Sequence, residues 1–189
     1  MENVNKIQKY DILTNDESET LVEYIIKMED YVKSRGPDTY DKSSDNSLTG
    51  RHYCFNFLSI KVIRMILVPK IKNIFGSCIV QCWGNTLRKG ESIGEHCHCD
   101  DKNVQKLSGH VAAVNIFLYG DVNIGTYYEN VKHINKIGQL TVIPVDMMHH
   151  VPTNNSDDIR ISIALDIYKP VDINTLNIMN DNTDRYFKI

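Results

Sequence analysis

A chain of 189 residues, 42% hydrophobic and 24% charged, is long enough to bury a substantial core and has the proportions of an ordinary globular protein. Its formal net charge of -3, without any block of lysines and arginines, weighs against nucleic acid as a main partner. With a mean hydropathy of -0.31, no apolar run of spanning length and no leader-like stretch in residues 1–6, no membrane partner is expected and the expected location is cytoplasmic. The five scattered cysteines, Cys54, Cys78, Cys82, Cys97 and Cys99, fit reduced thiols better than a disulfide framework.

Residues 1–15 are polar, with Tyr10, Ile12 and Leu13 as a candidate short strand. From Asp16 or Ser18 to Ser34, Leu21, Tyr24, Ile25, Met28, Tyr31 and Val32 recur at three- and four-residue steps. This predicts an amphipathic helix packed on a sheet. Residues 37–51 read as a loop, and Phe57 to Phe75 as a second helical region that Pro69 is expected to kink or split. After Gly76 the texture becomes that of short strands at Ser77–Leu87, Ile93–Asp100, His110–Tyr119, Gly125–Tyr128, Gly138–Ile143 and Ile159–Tyr168, separated by turn signals. Helices followed by many strands predict an α+β domain over residues 1–189: a helical part at about 16–75, a curled, jelly-roll-like double sheet at about 77–169, and a tail at 170–189. Tyr186, Phe187 and Ile189 are the residues by which that tail would dock.

The chemistry concentrates in Gly94-Glu95-His96-Cys97-His98-Cys99-Asp100-Asp101. In an extended strand His96, His98 and Asp100 share one face and the cysteines the other. Two imidazoles and a carboxylate suit a non-haem Fe(II) centre if a distant His completes it. A structural zinc site fits less well, because the cysteines leave the histidine face and no second Cys or His pair stands at finger spacing. The later strand Gln139–Ile143 leads to His149-His150-Val151-Pro152, where only one of the two adjacent histidines can point at a metal. Eleven residues beyond His149, Arg160-Ile161-Ser162 puts a guanidinium and a hydroxyl on one face, a pair able to hold one carboxylate.

The order His-x-His-x-Asp, His-His-Val-Pro and Arg-x-Ser resembles the 2-oxoglutarate- and Fe(II)-dependent oxygenases over about residues 80–167. Trp83-Gly84-Asn85, Gly90, Ser108-Gly109, Tyr119, Gly125 and Pro144 extend the likeness to a small phage and bacterial subgroup whose first motif reads His-x-His. The separation of His98 from Ser108 is longer here than in that subgroup. The resemblance implies a double-stranded β-helix, cupin-like in architecture, with three of His96, His98, Asp100 and His149 as metal ligands. One register uses His98 with Asp100, the other His96 with His98. It further implies Fe(II) and 2-oxoglutarate as cofactors, with ascorbate in support, and Arg160, Ser162, Tyr119 and Asn85 around the 2-oxoglutarate. Trp83 and Tyr127 are further pocket candidates. The implied activity is hydroxylation of an amino-acid residue or small molecule, with a protein or small molecule as partner. The alternatives are a cupin-like metalloenzyme that does not use 2-oxoglutarate and a metal-stabilised binding module. Residues 37–51 and 100–107 are the expected substrate-framing loops.

Overall fold

The computed structural model describes residues 4–34, 55–98, 109–169, 173–181 and 184–189; Asp100 and both expected substrate loops lie outside them. Two antiparallel sheets face each other. The larger has the order β1-β7-β4-β9-β2-β10, built from β1 (Gln8–Asp11), β2 (Ile79–Leu87), β4 (His110–Tyr119), β7 (Gln139–Ile143), β9 (Arg160–Tyr168) and β10 (Phe187–Lys188). The smaller has the order β3-β8-β5-β6, from β3 (Ile93–His96), β5 (Thr126–Tyr128), β6 (Val131–His133) and β8 (His149–Val151).

β9 lies at the centre of the larger sheet, paired along its length with β2 and with β4. All nine residues of β9 and of β2 are buried, because one face of the sheet is covered by helices and the other by the smaller sheet. Alternation sorts the side chains of β9. Ile161, Ile163, Leu165 and Ile167 join the main core under the helices, while Arg160, Ser162, Ala164, Asp166 and Tyr168 have the opposite parity.

The helix expected from about residue 16 is α1 (Asn15–Ser34). It begins with a capping box: the Thr14 amide donates to the Glu17 carboxylate at 2.9 Å and the Glu17 amide to the Thr14 hydroxyl at 3.2 Å. Leu21, Ile25 and Val32 bury its apolar stripe. The region expected over Phe57–Phe75 is a single 3-10 turn (Phe57–Ser59) followed by α2 (Lys61–Phe75). Pro69 lies inside α2 without splitting it. The carbonyl that its ring deprives of a donor belongs to Met65, whose residue is 64% exposed, so water can take the missing place.

The strands expected at 77–87, 110–119, 125–128, 138–143 and 159–168 are present within one or two residues. The strand expected from Ile93 to Asp100 ends at His96. Four elements went unpredicted: β6, β8, α3 (Ile173–Asp181) and β10. β6 follows a two-residue hairpin in which Glu129 and Asn130 both have positive φ, 47° and 67°. The expected docking of the tail is through β10, which pairs with β2 as Phe187↔Val80 and Lys188↔Ile79. β1 likewise adds an edge to β7.

Gly84 fits α1 and the 3-10 turn onto the sheet. A Cβ there would stand 3.2 Å from the Phe57 ring and 3.4 Å from Ile25. Gly84→Val is therefore expected to lower stability by about 1–3 kcal/mol through overpacking. A lowered urea midpoint with an unchanged native far-ultraviolet CD spectrum would register it.

Candidate metal centre

β3 delivers His96, and two residues later the backbone leaves the strand at a bend, anchored where the His98 amide donates to the Val145 carbonyl at 2.8 Å. β8 lies beside β3 with His96 opposite His149 in register. The three imidazoles converge: ring centroids are 5.4 Å apart for His96 and His98, 4.3 Å for His96 and His149, and 5.1 Å for His98 and His149. One ligand atom from each lies within 4.8 Å of the others. His150 has the opposite parity and stacks on Tyr127 at 4.7 Å. Of the two adjacent histidines, His149 is the one in the cluster.

Each ring also has an outward nitrogen facing a protein acceptor. His96 Nδ1 lies 2.8 Å from the Gly94 carbonyl and His149 Nδ1 2.9 Å from the Met147 carbonyl. His98 Nδ1 lies 2.7 Å from Asp166 Oδ1. A proton on Nδ1 of His96 and of His149 satisfies those two carbonyls and leaves each Nε2 with its lone pair, and the Asp166 charge favours the same tautomer for His98. His98 Nε2 and His149 Nε2 are 3.3 Å apart. Bonds of about 2.1 Å to one metal at tetrahedral or octahedral angles would put ligand nitrogens roughly 3.0–3.4 Å apart, so the imidazole set fits a divalent ion.

The electrostatics of the cluster follow from burial and from Asp166, the one carboxylate beside it among the described residues. Burial, with the charges of His96 and His98, pushes His149 down to about 3. Burial also works against a charged His98, but the adjoining Asp166 outweighs it and the net shift is upward. Burial disfavours the Asp166 carboxylate too, and His98 and His110 more than offset that, holding it well below the ordinary range. Neither His98 Nδ1 at 2.7 Å nor His110 Nε2 at 3.3 Å meets Asp166 Oδ1 with the alignment of a hydrogen bond, so both are close ion-pair contacts.

At the other end of β9, Arg160 is 1% exposed. Among the described residues its guanidinium makes only long contacts, 3.4 Å to the Ser162 hydroxyl, 3.3 Å to the Thr126 hydroxyl and 3.4 Å to the Ile124 carbonyl, and lies over the Phe117 ring at 5.4 Å. No carboxylate among the described residues pairs with it. Burial pushes it down to about 10, partly countered by the nearby Tyr128, which still leaves it charged at neutral pH. Asn85 donates to the Ser162 hydroxyl at 3.4 Å, and its buried Oδ1 lacks a partner. Asn154 sets where β9 begins: its side-chain amide donates to the Leu87 and Asp158 carbonyls at 2.9 and 2.8 Å. Gly120 allows β4 to reach this corner, since a Cβ there would stand 2.9 Å from the Arg160 Cα.

His96, His98 and His149 are thus gathered, as are Arg160, Ser162 and Asn85. Tyr119 stands apart from both groups. It is 43% exposed at the end of β4, and Phe117, two residues earlier, lies under the guanidinium instead. Sequence reasoning missed Tyr128, which is buried opposite His149 in register, is pushed up to about 12 by that burial, and touches Thr126 and Thr141. It also missed Asp166 and His110. Asp166 carried a readable signal as the single carboxylate in the apolar run Ile161–Tyr168, in phase with Arg160 and Ser162.

No protein-family model and no curated protein sequence matches the chain. Solved structures do. A viral collagen prolyl hydroxylase from Paramecium Bursaria Chlorella virus-1, in its 2OG complex, aligns at a TM-score of 0.54 and 14% identity over 87% of this chain and 96% of its own. The non-heme alpha ketoglutarate dependent carbocyclase SnoK, from nogalamycin biosynthesis, aligns at 0.61 and 11% over 87% and 79%. The non-heme monooxygenase ThoJ, as its Ni complex, aligns at 0.56 and 16% over 95% and 93%. The fold is that of the 2-oxoglutarate-dependent oxygenases. Within this oxygenase fold the double sheet carries a possible metal site of three histidines, and no helix among the described residues is long and apolar enough to cross a membrane.

His96→Ala and His149→Ala are each expected to weaken Co(II) binding by two orders of magnitude or more, whereas His150→Ala should leave it within about threefold. Isothermal titration of the metal-free protein measures all three. His96→Ala also separates the two registers, since only the paired-histidine register needs that ring.

Proposed function

We propose that this chain is an Fe(II)- and 2-oxoglutarate-dependent oxygenase, with His96, His98 and His149 as the metal ligands and Arg160 and Ser162 as the clamp for the far carboxylate of 2-oxoglutarate. The observation that supports the reading is the buried guanidinium of Arg160, which meets no carboxylate among the described residues. Burying a charge without a partner is costly, and such a group persists where binding supplies the partner. A dicarboxylate would bring an anion for Arg160, with the Ser162 and Thr126 hydroxyls as further donors. The recess beyond, lined by Asn115, Phe117, Thr126, Tyr128 and Thr141, has room for about one water at ≈ 10 Å³. A ligand carboxylate on Arg160 would therefore extend away from that recess.

Bound Fe(II) would supply the oxygen chemistry, coupling oxidation of 2-oxoglutarate to succinate and CO2 with oxidation of the substrate. The chain's own residues have simpler tasks. Gly94, Asp166 and Met147 orient the three imidazoles with Nε2 inward. Phe117 and Tyr128 keep water from the guanidinium, which raises the worth of each charge-assisted hydrogen bond to it. Asn85, with its unpartnered carbonyl oxygen, offers an acceptor beside Ser162. A cupin-like enzyme without 2-oxoglutarate would need a different anion to pair with this buried cation. We take the substrate to be an amino-acid residue or small molecule that becomes hydroxylated. The solved structures of this fold include prolyl hydroxylases, one in complex with a hypoxia inducible factor peptide fragment, and the carbocyclase SnoK from nogalamycin biosynthesis.

Succinate release from 2-oxoglutarate under Fe(II), oxygen and ascorbate, the last included to keep the iron ferrous, tests the activity. Arg160→Met should raise the KM for 2-oxoglutarate by 10-fold or more with Co(II) affinity unchanged. Equal 2-oxoglutarate turnover by this variant would exclude the assignment.

A further inference from the structure

A set of three neutral imidazoles leaves the full charge of a divalent ion uncompensated by its ligands, in a site that burial makes electrostatically unforgiving. One carboxylate among the described residues is built into the surroundings of that set. Asp166, 7% exposed, reaches it from the larger sheet, with Oδ1 at 2.7 Å from His98 Nδ1. His110 stands on its other side at 3.3 Å, its own ring stacked on Tyr168 at 4.5 Å. Trp83 stacks on the His98 ring at 6.1 Å. His98 is thus held by its carboxylate partner, by an aromatic face and by its own backbone bond to Val145.

We propose that Asp166 is the anionic partner of the metal centre, acting through His98 as a positioning residue. It fixes the tautomer with the proton on Nδ1 and the lone pair on Nε2, and it places a negative charge one imidazole away from the ion. This rests on reading His96, His98 and His149 as the metal ligands. Carboxylate–imidazole–metal chains of this kind orient the ring and raise its basicity, and removing the outer partner typically costs 10–100-fold in metal affinity.

The same carboxylate, with His98 and His110, forms a second group whose ligand atoms lie within 4.8 Å of one another. A neutral imidazole has one lone-pair nitrogen, so His98 cannot serve an ion on each side without becoming an imidazolate. The 2.7 Å approach of Asp166 Oδ1 to Nδ1 is close though not aligned as a hydrogen bond; the negative charge favours the proton on that edge and leaves Nε2, 3.3 Å from His149 Nε2, as the ligand nitrogen. His110 then acts as the wall that keeps Asp166 oriented toward His98.

Co(II) titration of the metal-free chain, its Asp166→Asn variant and its His110→Gln variant tests the assignment. Asn keeps the size of Asp and can still accept a hydrogen bond, but it removes the charge. The expected result is one Co(II) per wild-type chain, 10–100-fold weaker binding in Asp166→Asn with shifted Co(II) absorption bands, and metal-free melting no lower than that of the wild type. Unchanged affinity and spectrum in Asp166→Asn would overturn the inference while leaving the three-histidine centre standing. So would two Co(II) per wild-type chain with the second lost in both variants, which would make Asp166 a direct ligand. No Co(II) binding by the wild type would remove the metal centre and the inference together. Imidazole nitrogen NMR of the wild-type Zn(II) form needs no substitution. His98 protonated on Nδ1 supports the proposal, and metal bound through Nδ1 refutes it.

Discussion

In a strand with neighbours on both sides, alternate side chains must leave in opposite directions, and β9 uses this to separate stability from chemistry. Its odd-numbered residues are isoleucines and a leucine, completely buried against helices α1 and α2 and the outer faces of β2 and β4. Its even-numbered residues include a cation, a hydroxyl and a carboxylate. Both faces are out of water, so the polar face exists only because the apolar one holds the strand in place. A slip of one residue in its pairing with β2 would send Arg160 and Asp166 into the helical layer and four aliphatic residues into the site. That penalty makes the register unambiguous.

Two opposite charges on one face of one strand would ordinarily neutralise each other. Here six residues of extended chain, roughly 20 Å, separate Arg160 from Asp166. At that distance each must be satisfied locally. Asp166 is met by two imidazoles. Arg160 has hydroxyls, a carbonyl and an aromatic face, which moderate a buried cation without neutralising it. Among the described residues, the asymmetry divides the inner face into an end beside the histidines where the charge is met by opposite charge and an end where it is met by neutral groups.

The smaller sheet contributes the rest by proximity. His149 would be one of two equivalent candidates if β8 stood alone. Its pairing with β3 and β5 turns His149 toward His96 and Tyr128, and leaves His150 against Tyr127. Tyr128 reaches the same interior through the tight Glu129–Asn130 turn, which sets the register of β5 against β6. Short strands of three residues carry little packing of their own, so these positions depend on their neighbours for definition.

From the sequence alone, the apolar periodicities determined α1, most of α2 and the long strands, because each of those patterns requires one buried face whatever its partner is. The motif order likewise brought His96, His98, Asp100, His149, Arg160 and Ser162 forward as candidates; the three histidines lie together, Arg160 lies beside Ser162, and Asp100 falls outside the described residues. The sequence could not rank His149 above His150, or distinguish Tyr128 from Tyr119, because facing in a short strand is set by the strand beside it. It also passed over Asp166 and left His110 without a role. Their chemistry arises where Asp166 of β9 meets His110 of β4 and His98 of the segment after β3, which lie 56 and 68 positions before it along the chain. Local pattern cannot encode such a meeting, and only the packing of one sheet against the other brings a carboxylate to the outer edge of His98.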